Sequence, residues 1–233
     1  AFDSLEWEYL YSVMRRMQLG ERYIAWTKLL YTNPKARVRT GRTISNEYGV
    51  KWGTRQGCPL SSLLFALAVE TLASRARSGT AYGGVTSSGR QHHIEFYADD
   101  MLLFLKNRDE ELTGARDLLE KFGCVSGLKV NRGKTCIFPM TAEENPPVTL
   151  EGMQWEARCL KYLGVRMYHK QLDILEGNIG RAVGALRSSA NFWKTLPMSV
   201  IGRIAVLKMV ALPRLLYFFV TLPIWIPSHI LEK

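Results

Sequence analysis

The chain has 233 residues, 47% of them apolar, and its 31 Lys and Arg against 21 Asp and Glu give a formal charge of +10. That apolar fraction fills a core and excludes a disordered segment, and the length suits one large domain or a domain with a smaller appendage. The basic surplus favours a polyanionic partner, although a well-solvated positive surface fits the same count.

The chain opens on Ala1 with no signal-like leader and is expected to be a piece of a longer protein. Leu5, Leu10, Val13, Met14 and Met17 recur near helical spacing, with Gly20 as a stop, and a second short helix is expected around Glu21 to Tyr31. Val38, Thr40, Thr43, Ile44, Tyr48 and Val50 suggest a strand pair around Thr40-Gly41-Arg42. Pro59 suits the first turn of a helix, Leu60, Leu63, Leu64, Leu67, Ala68 and Leu72 continue it, and Gly79 stands where a C-terminal cap is expected. A Gly-rich connection follows, then a hairpin from Ile94 to Leu105, a helix from about Asp109 to Phe122, and a turn and strand over 127–138. Ala142 to Pro147 reads as a loop and Val148 to Met167 as strands.

After Tyr168 the pattern turns helical, with Leu172, Leu175, Ile179, Val183 and Leu186 on one stripe and Val200, Ile204 and Leu207 on another. Mixed elements followed by helices alone predict an α+β domain over 1–168 and a helical unit over 169–233. From Lys170 onward eight basic residues face three acidic ones, so half the net charge lies on the last quarter of the chain. Cys58, Cys124, Cys136 and Cys159 form no CxxC pair, which suggests neither a zinc site nor a disulfide framework and fits a reducing intracellular compartment. The most apolar stretch, Leu212 to Pro227, is interrupted by Pro213, Arg214, Thr221 and Pro223, and no membrane span is expected.

Two segments carry chemistry. In Ile94 to Leu105, two apolar strands flank a very short break at Ala98-Asp99-Asp100, so a tight hairpin should project the carboxylates of Asp99 and Asp100. Adjacent carboxylates suit a hard divalent cation that also takes phosphate oxygens, although an Asp-rich turn alone would look the same. In Gly53-Thr54-Arg55-Gln56-Gly57-Cys58-Pro59, a basic side chain, an amide and a glycine precede a helix, where unpaired N–H groups can meet a phosphate; a plain helix cap is the competing reading.

Together these segments resemble the reverse transcriptases, and they point to the LINE-type branch of the non-LTR retrotransposons. FYADD is similar to the family's catalytic hairpin, GTRQGCPLSSLLF to its nucleotide- and template-contacting helix start, and GLKVNRGKT to the next turn and strand. LKYLGV looks like the primer grip, AFDS like the tail of the first catalytic motif, and LPMSVIGRIAVLKMVALPRLLYFF like the thumb. RQGCPLS is the discriminating piece, since intron-encoded and retroviral relatives usually carry a PQG form; Ser62 stands where the LINE-type pattern usually has proline.

The resemblance implies a polymerase palm, an antiparallel sheet packed on helices, followed by an all-α thumb. It implies an RNA-directed DNA polymerase that adds deoxynucleotides to a primer 3′-hydroxyl with two Mg²⁺ ions, Mn²⁺ being a substitute. A non-catalytic nucleic-acid-binding remnant is the alternative. Asp99 and Asp100 would hold the ions, and Lys134 would reach the pyrophosphate leaving group. Phe2 would sit under the incoming sugar, Arg55, Gln56 and Gly57 would border the nucleotide and template, with Tyr97 and Ala98 beside them, and Leu163 and Gly164 would lie against the primer end. Implied partners are an RNA template, a DNA primer, deoxynucleoside triphosphates and the rest of a polyprotein with fingers and an endonuclease, and implied locations are nuclear and cytoplasmic. The family's first catalytic aspartate falls upstream of Ala1, so residues 1–233 alone are expected not to extend a primer. The chain start and the Ala98-Asp99 tip are expected on neighbouring strands of one antiparallel sheet.

Overall fold

The computed structural model describes residues 2–106, 108–141 and 152–224, with Arg108 described in its backbone alone. The loop read at Ala142 to Pro147, and the first residues of the strand segment after it, lie outside the described residues. The chain divides into two compact units, 1–131 with 147–149, and 132–146 with 150–233.

In the first unit a 3-10 turn at Phe2–Ser4 leads into α1 (Trp7–Arg16) and α2 (Glu21–Leu30). Strands β1 (Lys35–Ala36) and β4 (Tyr48–Gly49) pair antiparallel around the smaller hairpin of β2 (Arg39–Thr40) and β3 (Thr43–Ile44), whose turn is Gly41-Arg42. Helix α3 (Pro59–Arg77) is followed by the hairpins β5 (Val85–Ser87) with β6 (Arg90–His92) and β7 (Ile94–Tyr97) with β8 (Asp100–Leu103), and then by α4 (Arg108–Ser126). Helix α4 runs one turn beyond the expected Phe122. Ser126 donates to the Phe122 carbonyl and accepts from the Leu128 amide, and Gly127 at φ 76° supplies the left-handed residue that ends the helix.

Helix α3 organises this unit. Its N-terminal half contributes Leu64 and Ala68 to a core with Leu5, Leu10, Tyr11, Met14 and Ile24. Its C-terminal half contributes Leu72, Ala73 and Ala76 to a second core with Tyr82, Ile94 and Ala115. The pleat of β7 and β8 then decides which residues face inward. Ile94 opposite Leu103 and Phe96 opposite Met101 pack on this second core, so Tyr97 opposite Asp100 belongs to the outer face.

The second unit opens with a 3-10 turn at Arg132–Lys134 and a parallel pair, β9 (Cys136–Ile137) with β10 (Gln154–Trp155). The hairpin β11 (Leu160–Tyr162) with β12 (Val165–Met167) follows. Next, α5 (Gln171–Leu175) continues through a π-helical turn at Glu176–Gly180 into α6 (Arg181–Lys194). Ser199 caps a last helix by accepting from the Gly202 amide at 3.1 Å; α7 (Val200–Val206) passes through a π turn at Leu207–Ala211 into α8 (Leu212–Thr221).

Two sequence expectations change here. The described strands form six two-stranded ladders, five antiparallel and one parallel, instead of one sheet. Residues Phe2–Ser4 form a 3-10 turn and not a strand beside β7, because the segment hydrogen-bonds to the loop before α3: the Gly53 amide donates to the Leu5 carbonyl at 2.8 Å and the Thr54 amide to the Phe2 carbonyl at 2.7 Å. The second compact unit begins at Arg132, and within it Val165 of β12 shares a core with Leu175, Ile179 and Leu222 from the helices after it.

Pro213 does not break the last helix. The π turn immediately before it widens the backbone where the proline ring would crowd the preceding turn and where its missing N–H would leave a carbonyl unpaired. The resulting helix Val200–Thr221 spans 22 residues with a mean hydropathy of 1.7 over its most apolar window, long and apolar enough by length and composition to cross a membrane. The expectation of no such segment is corrected to that extent. Its interior carries Arg203, Lys208 and Arg214, and a basic residue at mid-bilayer costs about 2.5–3.5 kcal/mol, which weighs against a spanning role.

Candidate active site

The β7–β8 hairpin closes through two residues, Ala98 and Asp99, with Tyr97 paired to Asp100. Ala98 has φ 54° while Asp99 stays out of the left-handed region, the pattern of a II′ turn, which normally has glycine first. An alanine there costs about 1–2 kcal/mol, and the packing of Ile94, Phe96, Met101 and Leu103 on α3 and α4 holds the turn against that strain. Tyr97, Ala98, Asp99 and Asp100 are all exposed at the tip. Among the described residues no group of three or more His, Cys, Asp and Glu is assembled. The two tip carboxylates nonetheless match the one or two that Mg²⁺ takes from a protein while keeping water and phosphate oxygens, so the residues present fit a divalent ion.

A second constellation forms where the loop before α3 meets the chain start. Trp7 donates its indole N–H to the Gly53 carbonyl at 2.7 Å, which together with the two backbone bonds to Phe2 and Leu5 zips residues 2–7 against the loop. Gly53, at φ 87°, is required on two counts: a Cβ there would lie 2.7 Å from the Asp3 backbone, and the conformation itself disfavours a side chain. The zipped segments bring Phe2, Arg55, Gln56 and Gly57 around one open cavity of about 460 Å³, with Cys58 and Ser62 also in its wall. That volume lies within the range of small-molecule sites.

One face of Phe2 stacks on Phe65 of α3, with ring centroids 4.4 Å apart and planes 19° from parallel. Packing and cavity lining are therefore both roles of the same ring. Gln56 donates its amide N–H to the Asp3 carboxylate at 3.2 and 3.4 Å, which leaves its carbonyl oxygen to accept from a ligand. Gly57, at φ 81°, lets the chain turn into α3. The Leu60 amide, then that of Ser61, and the nearby Arg55 guanidinium hold the Cys58 thiol below its ordinary range.

The remaining sequence candidates lie in the second unit. Lys134 ends the exposed 3-10 turn at Arg132–Lys134. Leu163 and Gly164, at φ 47° and 82°, form the two-residue turn of the β11–β12 hairpin, with left-handed conformation at both positions as in a I′ turn. Sequence reasoning missed Asp3 as the partner of Gln56, Asn178 as a buried amide against β12, and Tyr217, whose hydroxyl donates to the Leu163 carbonyl. No periodicity or motif signals these contacts, which join residues 53, 12 and 54 positions apart.

Compared with known proteins, residues 1–167 match the family described as reverse transcriptase (RNA-dependent DNA polymerase). The chain belongs to that family. The match covers the exposed carboxylate hairpin, the cavity at the start of α3 and the β11–β12 turn. Among relatives, the chain is 24% identical to a transposon TX1 uncharacterized 149 kDa protein of Xenopus laevis over 77% of this chain and 14% of that protein. It is 30% identical to a Pol polyprotein from a type-1 retrotransposable element R2 of Nasonia vitripennis over 47% of this chain and 10% of that protein. It is 22% identical to the corresponding R2 polyprotein of Popillia japonica over 93% of this chain and 36% of that protein. The chain thus spans between a tenth and about a third of the lengths of these relatives. The membership is consistent with the non-LTR retrotransposon branch to which the sequence motifs point. Reverse transcriptases as a family use divalent metal ions.

Proposed function

We propose that this chain is the palm, residues 1–168, and thumb, residues 169–233, of an RNA-directed DNA polymerase of a non-LTR retrotransposon. The observation that carries the reading is the Asp99–Asp100 pair exposed at the tip of a tight hairpin, in a chain whose first 167 residues match the reverse transcriptase family. Two Mg²⁺ ions, for which Mn²⁺ substitutes, would supply activation of the attacking primer hydroxyl and stabilisation of the leaving oxygen. Asp99 and Asp100 would hold them as oxygen ligands.

The other residues bind and orient. Arg55 offers a cation and Gly57 a close backbone approach to the incoming nucleotide, and the Gln56 carbonyl, freed by Asp3, accepts a hydrogen bond from it. Phe2 lies under the sugar and leaves no room for a 2′-hydroxyl. Lys134 offsets charge developing on the pyrophosphate, Tyr97 and Ala98 flank the template end of the hairpin, and Leu163 with Gly164 meets the primer. The partners are an RNA template, a DNA primer, deoxynucleoside triphosphates and the rest of the polyprotein with its fingers and endonuclease, acting in nucleus and cytoplasm.

The test is primer extension on an RNA template by the full-length protein, with the divalent ion removed by chelator and restored. Extension that stops on chelation and returns with Mg²⁺ or Mn²⁺ is expected. Salt-sensitive nucleic-acid binding with no extension under any divalent ion would instead identify a binding remnant.

A further inference from the structure

Each strand of the β11–β12 hairpin has only three residues, and a two-stranded ribbon of that size does not hold its shape alone in water. Three ties to the helices of its own unit supply what it lacks. The first is apolar: Val165 packs with Leu175, Ile179 and Leu222.

The second is at the edge of β12. Arg166 sits opposite Lys161 at the non-hydrogen-bonded position of the ladder, so its N–H and C=O point away from β11. Both are met by one side chain: Asn178, 3% exposed, accepts from the Arg166 amide at 2.8 Å and donates to the Arg166 carbonyl at 2.7 Å. Its second N–H donates to the Ile174 carbonyl at 2.7 Å, which fixes the amide's orientation. Asn178 lies within the π turn between α5 and α6, whose wider register aims the side chain at the strand.

The third tie is at the tip. Leu163 is a bulky residue in the left-handed region, where an asparagine or glycine would sit at ease. Its carbonyl accepts from the Tyr217 hydroxyl, on α8, and the Tyr217 ring lies 3.7–3.9 Å from where a Cβ on Gly164 would be. Asn178 and Val165 secure the strands, and Tyr217 bonds the turn itself.

We propose that Tyr217 is a positioning residue that sets the Leu163-Gly164 turn and through it the primer terminus, with Asn178 fastening the same hairpin at its edge. The inference rests on reading that turn as the primer-contacting one. A phenol on the last helix thereby couples the placement of that helix to the placement of the turn.

Tyr217→Phe in the full-length protein keeps the ring against Gly164 and removes only the donor. Amide hydrogen exchange at Leu163–Val165 should quicken about fivefold, the loss expected of one net hydrogen bond, with exchange at Ala98–Asp100 unchanged. RNA-templated extension should lose a similar factor in kcat with the KM for deoxynucleotides unchanged, because the nucleotide cavity is untouched. Unchanged exchange at Leu163–Val165 overturns the tether whatever the activity does. Faster exchange with wild-type kcat overturns the link from turn to primer. If the unsubstituted protein extends no primer, the polymerase reading and the primer half of this inference fall together, while the exchange measurement still decides the tether.

Discussion

The two units are held together by different means. In the first, one helix is the scaffold: Leu64, Phe65, Ala68, Val69, Leu72, Ala73 and Ala76 of α3 are buried, and both constellations of the candidate site hang from it, the cavity at its N-terminus and the carboxylate hairpin packed on its C-terminal half. In the second, α6, α7 and α8 contain no buried residue among those described, and Ile201, Met209 and Val220 are 80%, 77% and 84% exposed. Its β11–β12 hairpin keeps its place through one asparagine, one tyrosine and a four-residue core. Apolar packing therefore positions the carboxylates of the hairpin tip, whereas a few polar ties position the second hairpin. The first should resist single substitutions on its surface and fail on core truncation, and the second should respond to the loss of single hydrogen bonds.

Truncation draws the contrast most sharply. Leu64→Ala, at a fully buried position shared by α1, α2 and α3, should cost about 2–5 kcal/mol in urea unfolding. Met209→Ala should stay within about 0.5 kcal/mol. Comparable losses at both positions would show that the last helix is covered in solution and would erase the contrast.

Phe2→Val comes next in size. Removing the ring under the proposed sugar position should raise ribonucleotide relative to deoxynucleotide incorporation by about tenfold or more. Unchanged sugar selectivity would leave Phe2 as the stacking partner of Phe65 and nothing else.

Ala98→Gly removes a methyl group from a residue at φ 54° and should stabilise the first unit by about 1 kcal/mol, read as a higher unfolding midpoint. A loss of stability would mean that the turn is not strained as described.

The smallest effect concerns two thiols, one in each unit. The Leu60 and Ser61 amides and Arg55 hold the Cys58 thiol down, while burial, with Glu156 nearby, pushes the Cys136 thiol up. Only the thiolate reacts, so below pH 9 Cys58 has the larger reactive fraction and Cys136 the smaller. Iodoacetamide at neutral pH should label Cys58 several times faster, with the advantage shrinking as pH rises. Equal rates at neutral pH would remove the influence of the helix start on the cavity.

Local elements were legible in the sequence to the extent that local physics fixes them. Pro59 and the leucine spacing mark α3, and the apolar runs on either side of Ala98-Asp99 mark β7 and β8, which begin at Ile94 as read and end at Leu103, two residues before Leu105. The loop at Gly53 to Gly57 reads either as a phosphate-facing helix start or as a plain cap, and its Arg55, Gln56 and Gly57 line the open cavity at the start of α3. Contacts between polar groups far apart in sequence were not legible: nothing near Gln56 announces Asp3, and nothing near Leu163 announces Tyr217. Pro213 read as a break because proline removes a helical hydrogen bond, and only the π turn before it lets the helix continue. The boundary read at Tyr168 follows the change in hydrophobic period, which reports local structure; that Val165 shares a core with Leu175 and Ile179 is a tertiary fact that period does not carry.

The central claim is that the exposed hairpin tip carries catalytic carboxylates, and Asp99→Asn in the full-length protein tests it most directly. The substitution keeps the side-chain size at an exposed turn, so fold and salt-sensitive binding of a primed RNA template should persist. Metal-dependent extension should fall to background in the same preparation, because the lost charge is assigned to the ions and not to the nucleic-acid backbone. Extension at a rate near that of the unsubstituted protein would contradict the account and return Asp99 to an ordinary turn residue.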